Sequence, residues 1–176
     1  MAKETDANGH STNYVNDLYG RVTKRTLPNE AAYTYDYDAL GRLTKQTGPQ
    51  GLSKNYSYDV SGNLVQETDQ SDRSNHYSYD KVGRLLTAKN ALDLETKYSY
   101  DALNRVVTES DADGNTSTYE YDVLGNLSKM TDANGHSSSY GYDANKKLVL
   151  YTDPNGQATA FKYDPLGRII ETVAPT

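Results

Sequence analysis

The segment at 111–115 carries the residue types that bind calcium. Asp111, Asp113 and Asn115 place two carboxylates and one amide within five residues, and these are oxygen ligands of the kind calcium takes. An EF-hand loop, however, needs glycine at its sixth position, whereas Gly114 stands at the fourth position of this segment. We therefore expect a plain turn here and no metal site.

Histidines and serines are the other residues that could act as ligands or nucleophiles. We expect His10, His76 and His136 to share one column of the repeat, directly after a turn and three repeats apart, with each at the solvated start of a strand. The recurrent serines have no histidine in matching register, so no nucleophile–base pair is predicted. The sequence thus predicts no enzyme, no cofactor and no metal centre.

A Tyr-Asp dipeptide recurs at intervals of 21 residues, and the copy at 77–85 reads Y-x-Y-D-x-x-G-R-L. The stretch at 14–22 keeps this register with Asn16 in place of the second tyrosine, which gives eight units. A fixed period of this length indicates a repeat array, in which one unit cannot bury a face alone. We predict a leader at 1–5, one array of eight tandem repeats at 6–173, and a tail at 174–176.

Each unit is predicted to contain two short strands. The first ends in a pair of aromatic residues two positions apart, which therefore point to the same face. Small or polar residues such as Ser57, Ser78 and Glu120 separate them, so one face is aromatic and the other solvated. The tyrosines predicted to build the repeat are Tyr35, Tyr37, Tyr56, Tyr58, Tyr77, Tyr79, Tyr98, Tyr100, Tyr119, Tyr121, Tyr140, Tyr142 and Tyr163.

Two kinds of turn join these strands. In the first, D-x-x-G, an aspartate such as Asp59 or Asp80 can accept a backbone N–H two residues on, and the fourth residue takes a left-handed conformation. Asn104 tolerates that conformation, whereas Lys146 should strain its turn. The second turn is D-x-N-G; its copies at 27–30, 48–51, 69–72 and 90–93 depart from the pattern and should be looser. The predicted glycines of the first turn are Gly41, Gly62, Gly83, Gly125 and Gly167.

The second strand begins with an aliphatic residue in every unit, but the next position is mixed, from Thr44 to Ile170, so this strand is only half amphipathic. Strand, turn, strand, turn repeated eight times predicts an all-β fold. We expect β-hairpin units in a curved or spiralling antiparallel sheet with its aromatic face inward, because wide flat sheets are unfavourable. A parallel β-solenoid with one coil per unit is the alternative, since the spacing suits both.

Composition restricts the partners. The formal net charge of −6 disfavours nucleic acid, and 17 tyrosines supply large contact area to a chain that is 35% hydrophobic. The lack of cysteine excludes disulfides and thiolate metal sites. No apolar run approaches the ~20 residues that a membrane span needs. No signal peptide is visible in the polar stretch at 1–13.

The motif Y-x-Y-D-x-x-G-R-L at this period resembles the YD-repeat, or Rhs-repeat, family over essentially the whole chain, with departures at Asn16, Asn104 and Lys146. The resemblance implies a strip of antiparallel β-hairpins wound into a hollow shell. Such shells enclose a toxic polypeptide in bacterial toxin complexes and polymorphic toxins, and form part of the ectodomain in teneurin-type proteins. The resemblance therefore implies a secreted or cell-surface parent protein, with flanking repeats and an enclosed polypeptide as partners.

Two departures from the family limit what the resemblance implies. Family shells use many more repeats than eight, so the chain is expected to be a segment or a minimal array. The family's terminal self-cleavage element and toxin domain are not found, and the D-P-L-G at 164–167 stands in register as an ordinary repeat turn.

Three functions are compatible with these features. The first is a non-enzymatic structural segment that encloses or presents a polypeptide such as a toxin. The second is a self-assembling array, a homo-oligomer formed through open edge strands. The third is a glycan-binding module, since clostridial-toxin and glucan-binding repeats also use aromatic hairpins of ~20 residues. This chain has neither the tryptophan nor the adjacent aromatic pairs of those repeats.

Overall fold

In a computed structural model the chain forms β-strands joined by tight turns, and the structure describes residues 2–174. The chain divides into two compact units, Met1–Asp93 and Leu94–Thr176. The one helical element among the described residues is a 3-10 turn at Pro49–Gly51. No helix in this part of the chain has the length and apolar character needed to cross a membrane.

The first unit contains nine strands, and consecutive strands within it pair antiparallel. After a four-residue first strand, six-residue strands alternate with five-residue strands. Most of the six-residue strands end in the aromatic pair, and the five-residue strands begin at the aliphatic position. The strands are β1 (Ala2–Thr5), β2 (Ser11–Asn16), β3 (Val22–Thr26), β4 (Ala32–Tyr37), β5 (Leu43–Thr47), β6 (Ser53–Tyr58), β7 (Leu64–Thr68), β8 (Ser74–Tyr79) and β9 (Leu85–Lys89).

The second unit repeats this order in eight strands. All strand pairs within each unit are antiparallel, so the predicted array of antiparallel hairpins is confirmed and the alternative of a parallel β-solenoid is wrong. The strands are β10 (Glu95–Tyr100), β11 (Val106–Ser110), β12 (Thr116–Tyr121), β13 (Leu127–Thr131), β14 (Ser137–Tyr142), β15 (Leu148–Thr152), β16 (Ala158–Tyr163) and β17 (Ile169–Val173).

The predicted leader contains a strand of the array. β1 pairs with β2, with Thr5 opposite Ser11 and Lys3 opposite Asn13. Thr5 stands 21 residues before Thr26, so the leader keeps the repeat register and corresponds to the second strand of a hairpin. Met1 of the leader and Pro175 and Thr176 of the predicted tail lie outside the described residues.

Both kinds of turn have the same backbone geometry. In the D-x-x-G turn at 38–42, the N–H of Asp38 donates to the carbonyl of Arg42 (2.9 Å) and the N–H of Gly41 donates to the carbonyl of Asp38 (3.0 Å). In the D-x-N-G turn at 132–136 the corresponding distances are 2.9 and 3.0 Å. The fourth residue alone has positive φ, +84° at Gly41 and +85° at Gly135, as in a type I turn followed by a left-handed residue.

Of the turns expected to be looser, those at 27–30 and 69–72 keep this geometry, whereas in the turn at 48–51 both Gln50 and Gly51 have positive φ and the N–H of Gly51 donates to the carbonyl of Gly48 at 3.3 Å. The N–H of Leu27 donates to the carbonyl of Ala31 at 2.9 Å, and that of Asp69 donates to the carbonyl of Arg73 at 2.9 Å. Glu30 and Asp72 take the left-handed conformation at φ +65° and +58°. The predicted departure from the common geometry is therefore wrong at 27–30 and 69–72, where backbone hydrogen bonds define the turn without a glycine, and is seen at 48–51. Asn104 (φ +65°) and Lys146 (φ +63°) also take the left-handed conformation, and the strain expected at Lys146 stays a prediction.

Each hairpin contains one unpaired residue, which explains the half-amphipathic second strand. In the first unit Asp36 pairs with Lys45 and Tyr37 pairs with Leu43, which leaves Thr44 without a partner as a β-bulge. The extra residue shifts the alternation by one position. Leu43 therefore lies on the same face as Tyr37, whereas two-residue alternation along the strand would place it with Lys45.

The sheet in each unit has no fully buried core: none of residues 2–174 is fully buried. The predicted repeat tyrosines are all half-buried, while most of the residues between them are exposed. The aromatic face predicted to point away from water is thus only partly covered within this chain. We call it the tyrosine face, meaning the sheet face that carries both positions of the aromatic pair.

Candidate functional site

The recurrent aspartate, arginine and tyrosine of the repeat meet next to the D-x-x-G turns. In the first unit they are Asp38, which opens a turn, Arg42, which follows the same turn, and Tyr58, which belongs to the next hairpin. We call this arrangement the Asp–Arg–Tyr cluster. It joins two neighbouring hairpins through side chains, in addition to the backbone ladder.

The carboxylate of Asp38 fixes the turn. Its Oδ1 accepts the backbone N–H groups of Leu40 and Arg42, each at 2.9 Å, and its Oδ2 accepts Nε of Arg42 at 2.6 Å. The backbone N–H of Arg42 is the largest cause that lowers the pKa of Asp38, and the guanidinium lowers it further. The group is thus an ionised acceptor whose lone pairs are used by the turn itself.

The guanidinium of Arg42 reaches the next hairpin. Its Nη1 donates to the carbonyl of Asp59 at 3.0 Å, and its central carbon lies 4.7 Å from the ring centroid of Tyr58. The Tyr58 hydroxyl in turn donates to the carbonyl of Leu43, directly after Arg42, at 2.8 Å. Cation–π contact and two hydrogen bonds therefore connect consecutive hairpins at one point.

The cluster recurs within both units. In the first unit Arg21 lies 4.8 Å from the Tyr37 ring, and the Tyr37 hydroxyl donates to the carbonyl of Val22 at 2.8 Å. In the second unit Arg105 lies 4.4 Å from the ring of Tyr121, whose hydroxyl donates to Val106 at 2.8 Å. Lysine serves in the last copy, where Nζ of Lys147 lies 5.3 Å from the ring of Tyr163 and the hydroxyl donates to Leu148 at 2.8 Å.

Two repeats have asparagine in place of the cation, and the tyrosine of the hairpin that follows each of them has different contacts. Asn63 and Asn126 still donate to their own turn aspartates, at 2.9 and 2.8 Å, but their amides are too short to cover the next ring. The hydroxyls of Tyr79 and Tyr142 have no hydrogen-bond partner, and no cation lies over these rings, within residues 2–174. Burial is the largest cause that raises the pKa of both phenols.

The first tyrosine of each pair has a different role. Tyr35 lies opposite Gln46 and Tyr119 opposite Met130 on the tyrosine face. The Tyr119 hydroxyl donates to Glu109 at 3.2 Å, and the ring of Tyr140 lies 5.4 Å from that of Tyr151. The same position is occupied by Tyr56, Tyr77 and Tyr98.

The arginine is not among the residues predicted from the sequence, and the aspartate is predicted only in part. The predicted residues are Asp59 and Asp80, but an aspartate opens every D-x-x-G turn and accepts the backbone N–H four residues later. The available signal was the recurrence of a basic residue four positions after that aspartate, in six of eight repeats. The predicted glycines all have positive φ: Gly41, Gly62, Gly83, Gly125 and Gly167.

The other candidate residues also belong to turns or strands. Asp111 Oδ1 accepts the N–H groups of Asp113 and Asn115 at 3.0 and 2.9 Å, so this carboxylate is used by its turn. His10 and His136 follow turns and lie 3.3 and 3.2 Å from a turn carboxylate. His76 lies inside β8, opposite Gln66 and Lys89, and not at the start of a strand. Residues 2–174 contain no group of three or more acidic or histidine side chains that could hold a metal ion.

The D-P-L-G segment at 164–167 has the geometry of every other turn. The N–H of Gly167 donates to the carbonyl of Asp164 at 2.9 Å, and Asp164 Oδ1 accepts the N–H groups of Leu166 and Arg168, each at 2.9 Å. Its carboxylate is thus occupied by the turn.

Known proteins resemble this chain in fold. It is similar to the crystal structure of TcdB2–TccC3–Cdc42 (18% identity, TM-score 0.78, 94% of this chain and 11% of that chain). It is also similar to TcdB2–TccC3 without its hypervariable C-terminal region (18% identity, TM-score 0.78, 95% of this chain and 11% of that chain). A third similar structure is the Photorhabdus luminescens Tc holotoxin pore (18% identity, TM-score 0.76, 94% of this chain and 11% of that chain). The chain thus spans about a tenth of the length of these proteins. No curated protein sequence matches it.

Sequence similarity extends along most of the chain. A family model described as RHS Repeat matches residues 17–53, 37–74, 58–93, 79–116, 100–137 and 142–176. The matched segments follow the 21-residue register of the hairpins and contain the Asp–Arg–Tyr clusters. Because they cover far more than half of the sequence, this chain belongs to the RHS repeat family.

Proposed function

We propose that this chain is a non-enzymatic segment of a longer β-strip that encloses or presents a polypeptide, such as a toxin. The RHS repeat has a structural, shell-type role, and the TcdB2–TccC3 structures share its fold. By the same resemblance, the parent protein would be secreted or exposed at the cell surface. Flanking repeats and the enclosed polypeptide would be its partners.

The Asp–Arg–Tyr cluster carries this proposal. Its carboxylate, guanidinium and phenol bind one another and the backbone, as at Asp38, Arg42 and Tyr58. No acid, base or nucleophile of the cluster is left to react with a substrate. In the repeats that have it, the cluster instead connects a hairpin to the one that follows, as a rigid strip of hairpins requires.

The tyrosine face supplies the contact surface for an enclosed chain. The rings are half-buried within each unit, so each still offers apolar area and a polar edge. A polypeptide lying on this face would cover the remaining aromatic area.

Grafting tests this function. The eight repeats at 6–173 would replace the structurally matching stretch of TcdB2–TccC3, and digestion of the hypervariable C-terminal region by an added protease would be followed by immunoblot. We expect that region to be digested as slowly as in the unmodified protein. A control graft with Arg21, Arg42 and Arg105 changed to asparagine, the residue found at Asn63, should allow faster digestion.

One result of the graft experiment would contradict the proposal. A graft that assembles and keeps its β-sheet circular dichroism, yet exposes the region as fully as a protein unfolded in urea, would show that these repeats do not enclose a polypeptide.

Association of chains through open edges is the second candidate function. All residues of β1 and of β17 are exposed, and unpaired strand edges are templates for further pairing. In a longer chain the flanking repeats would cover the same edges. Light scattering of the purified chain over a concentration series distinguishes the two cases, because edge pairing predicts a mass that rises with concentration, and a constant monomer mass contradicts it.

A further inference from the structure

Arg25 differs from the other arginines of the chain because it has no carboxylate partner. The chain contains seven arginines, and six of them form an ion pair with an aspartate. Arg25 forms no ion pair and no hydrogen bond through its side chain within residues 2–174. Its charge is therefore available to a ligand.

Arg25 lies in β3 on the tyrosine face, opposite Tyr14 of β2 and Tyr33 of β4. Its guanidinium carbon is 4.8 Å from the ring centroid of Tyr33. Its Nε is shielded from solvent and has no hydrogen-bond acceptor. A donor that is shielded from solvent and has no acceptor costs free energy. A ligand with a hydrogen-bond acceptor, bound where the Arg25 side chain can reorient toward it, would remove this cost.

At the same position of two other repeats, a glutamate has a partner within the chain. Glu67 accepts Nζ of Lys54 at 2.6 Å in the first unit. In the second unit Glu109 accepts the hydroxyl of Tyr119 at 3.2 Å. Among residues 2–174, Nε of Arg25 is the one shielded side-chain nitrogen or oxygen without a hydrogen-bond partner.

A cleft of about 220 Å³ lies beside Arg25 and is lined also by Tyr14, Val22, Tyr35 and Tyr37. The Tyr37 hydroxyl is engaged by the carbonyl of Val22, and the Tyr14 hydroxyl donates to Glu4 at 3.2 Å. The Tyr35 hydroxyl has no partner among the described residues. The cleft therefore offers one cation, one free hydroxyl and aromatic walls, in a volume below the ~300 Å³ of small-molecule pockets.

We propose that this cleft binds the carboxylate of an acidic side chain on an extended polypeptide that lies across β2, β3 and β4. The proposal rests on the proposed function and names one chemical feature of the enclosed chain. A guanidinium presents its donors in a planar fork that matches a carboxylate, and the tyrosine rings can cover the flanking backbone. The nearby Glu4 and the net charge of −6 disfavour a doubly charged anion such as phosphate.

Nuclear magnetic resonance of the ¹⁵N-labelled chain tests this site through the Nε–H signals of its arginines. The probes are acetyl-Gly-Glu-Gly-amide, the isosteric acetyl-Gly-Gln-Gly-amide, and sodium acetate, titrated at constant ionic strength. We expect the glutamate peptide to give a saturable shift of the Arg25 signal, with little effect of the glutamine peptide. Acetate should bind more weakly than the glutamate peptide, because it lacks the flanking backbone.

Arg25→Gln is the test variant, since Gln46 occupies the corresponding position of the next repeat and the hairpin tolerates it. Loss of a charge-assisted bond predicts that the affinity for the glutamate peptide falls about tenfold or more. Arg73→Gln is the matched control, because this arginine lies in the same unit with its guanidinium on Asp69 and its side chain 69% exposed. The control should bind the peptide as the unmodified chain does.

The proposal would be overturned by the absence of a saturable shift at Arg25, by equal binding of the glutamine peptide, or by equal shifts at several arginines. Acetate that binds as tightly as the peptide would remove the polypeptide from the proposal and so also overturn it. None of these outcomes bears on the graft experiment, in which protease protection tests the enclosing function separately.

Discussion

Removal of a single hydroxyl group separates the role of the Asp–Arg–Tyr cluster from that of the tyrosine ring. Tyr58 and Tyr79 occupy the same position of consecutive repeats, and both are half-buried. The Tyr58 hydroxyl donates to the carbonyl of Leu43 at 2.8 Å, whereas the Tyr79 hydroxyl has no partner within the described chain. Tyr58→Phe and Tyr79→Phe therefore delete the same atom from two different environments.

The expected magnitudes follow from these contacts. A typical intramolecular hydrogen bond contributes about 1 kcal/mol net, so Tyr58→Phe should lower the free energy of unfolding by about 1 kcal/mol. Leu43 is only half-buried, so the loss of the donor to its carbonyl should not add a full desolvation penalty. Tyr79→Phe loses no bond and should change stability by less than ~0.5 kcal/mol.

Urea unfolding followed by circular dichroism measures this difference. With a slope of about 2 kcal/mol per molar urea, the midpoint of Tyr58→Phe should lie ~0.5 M below that of Tyr79→Phe. Arg42→Asn gives the Tyr58 repeat the residue found at Asn63. In the Arg42→Asn background, Tyr58→Phe should cost as little as Tyr79→Phe does.

Equal losses of stability from Tyr58→Phe and Tyr79→Phe would refute this reasoning. They would mean that the phenol contributes through general packing or solvation and not through the bond to the preceding hairpin. An unchanged cost of Tyr58→Phe after Arg42→Asn would show instead that the hydrogen bond forms without the cation.

Three further predictions follow from the same contacts. Asn63→Arg should place a guanidinium over Tyr79 and raise the free energy of unfolding by about 0.5–1 kcal/mol, and an unchanged urea midpoint would contradict this. Lys146→Gly should stabilise by about 1 kcal/mol because a non-glycine residue at φ +63° is strained; in thermal melts Lys146→Ala, which keeps the strain, should not. Backbone N–H groups of the following arginines are the largest cause that lowers the pKa of Asp38, Asp101 and Asp164 in the folded chain. The unfolded chain therefore binds more protons in acid than the folded chain does. The stability that these aspartates contribute at neutral pH should be lost as the pH falls below about 4 and through their folded-state pKa values. A urea midpoint that is equal at pH 7 and pH 3 would contradict this prediction.

The features that were predictable from the sequence are those fixed by local chemistry. The 21-residue period, the two strands per unit and the position of positive φ follow from the Tyr pair, the turn aspartate and the turn glycine. Antiparallel pairing followed from two tight turns per unit. These signals are local, so one sequence is enough to read them.

The remaining features depend on contacts between neighbouring strands. The bulge at Thr44 is defined by which residues of β4 and β5 pair, and the sequence showed it only as an unexplained break in alternation. The roles of Arg42 and Tyr58 depend on a contact between side chains 16 positions apart. Turn strength was misjudged at Leu27 because backbone hydrogen bonds hold the turn without an aspartate side chain.

The contacts of Arg42 also have an evolutionary consequence. Its partners lie in its own turn or in the hairpin that follows, and the same holds for Arg21 and Arg105. A deletion or duplication of 21 codons would therefore bring an equivalent set of partners to the new junction, whereas a shift of one codon would turn the aromatic side chains to the opposite face. Unequal recombination between repeats could thus lengthen or shorten the parent gene while each junction stays foldable.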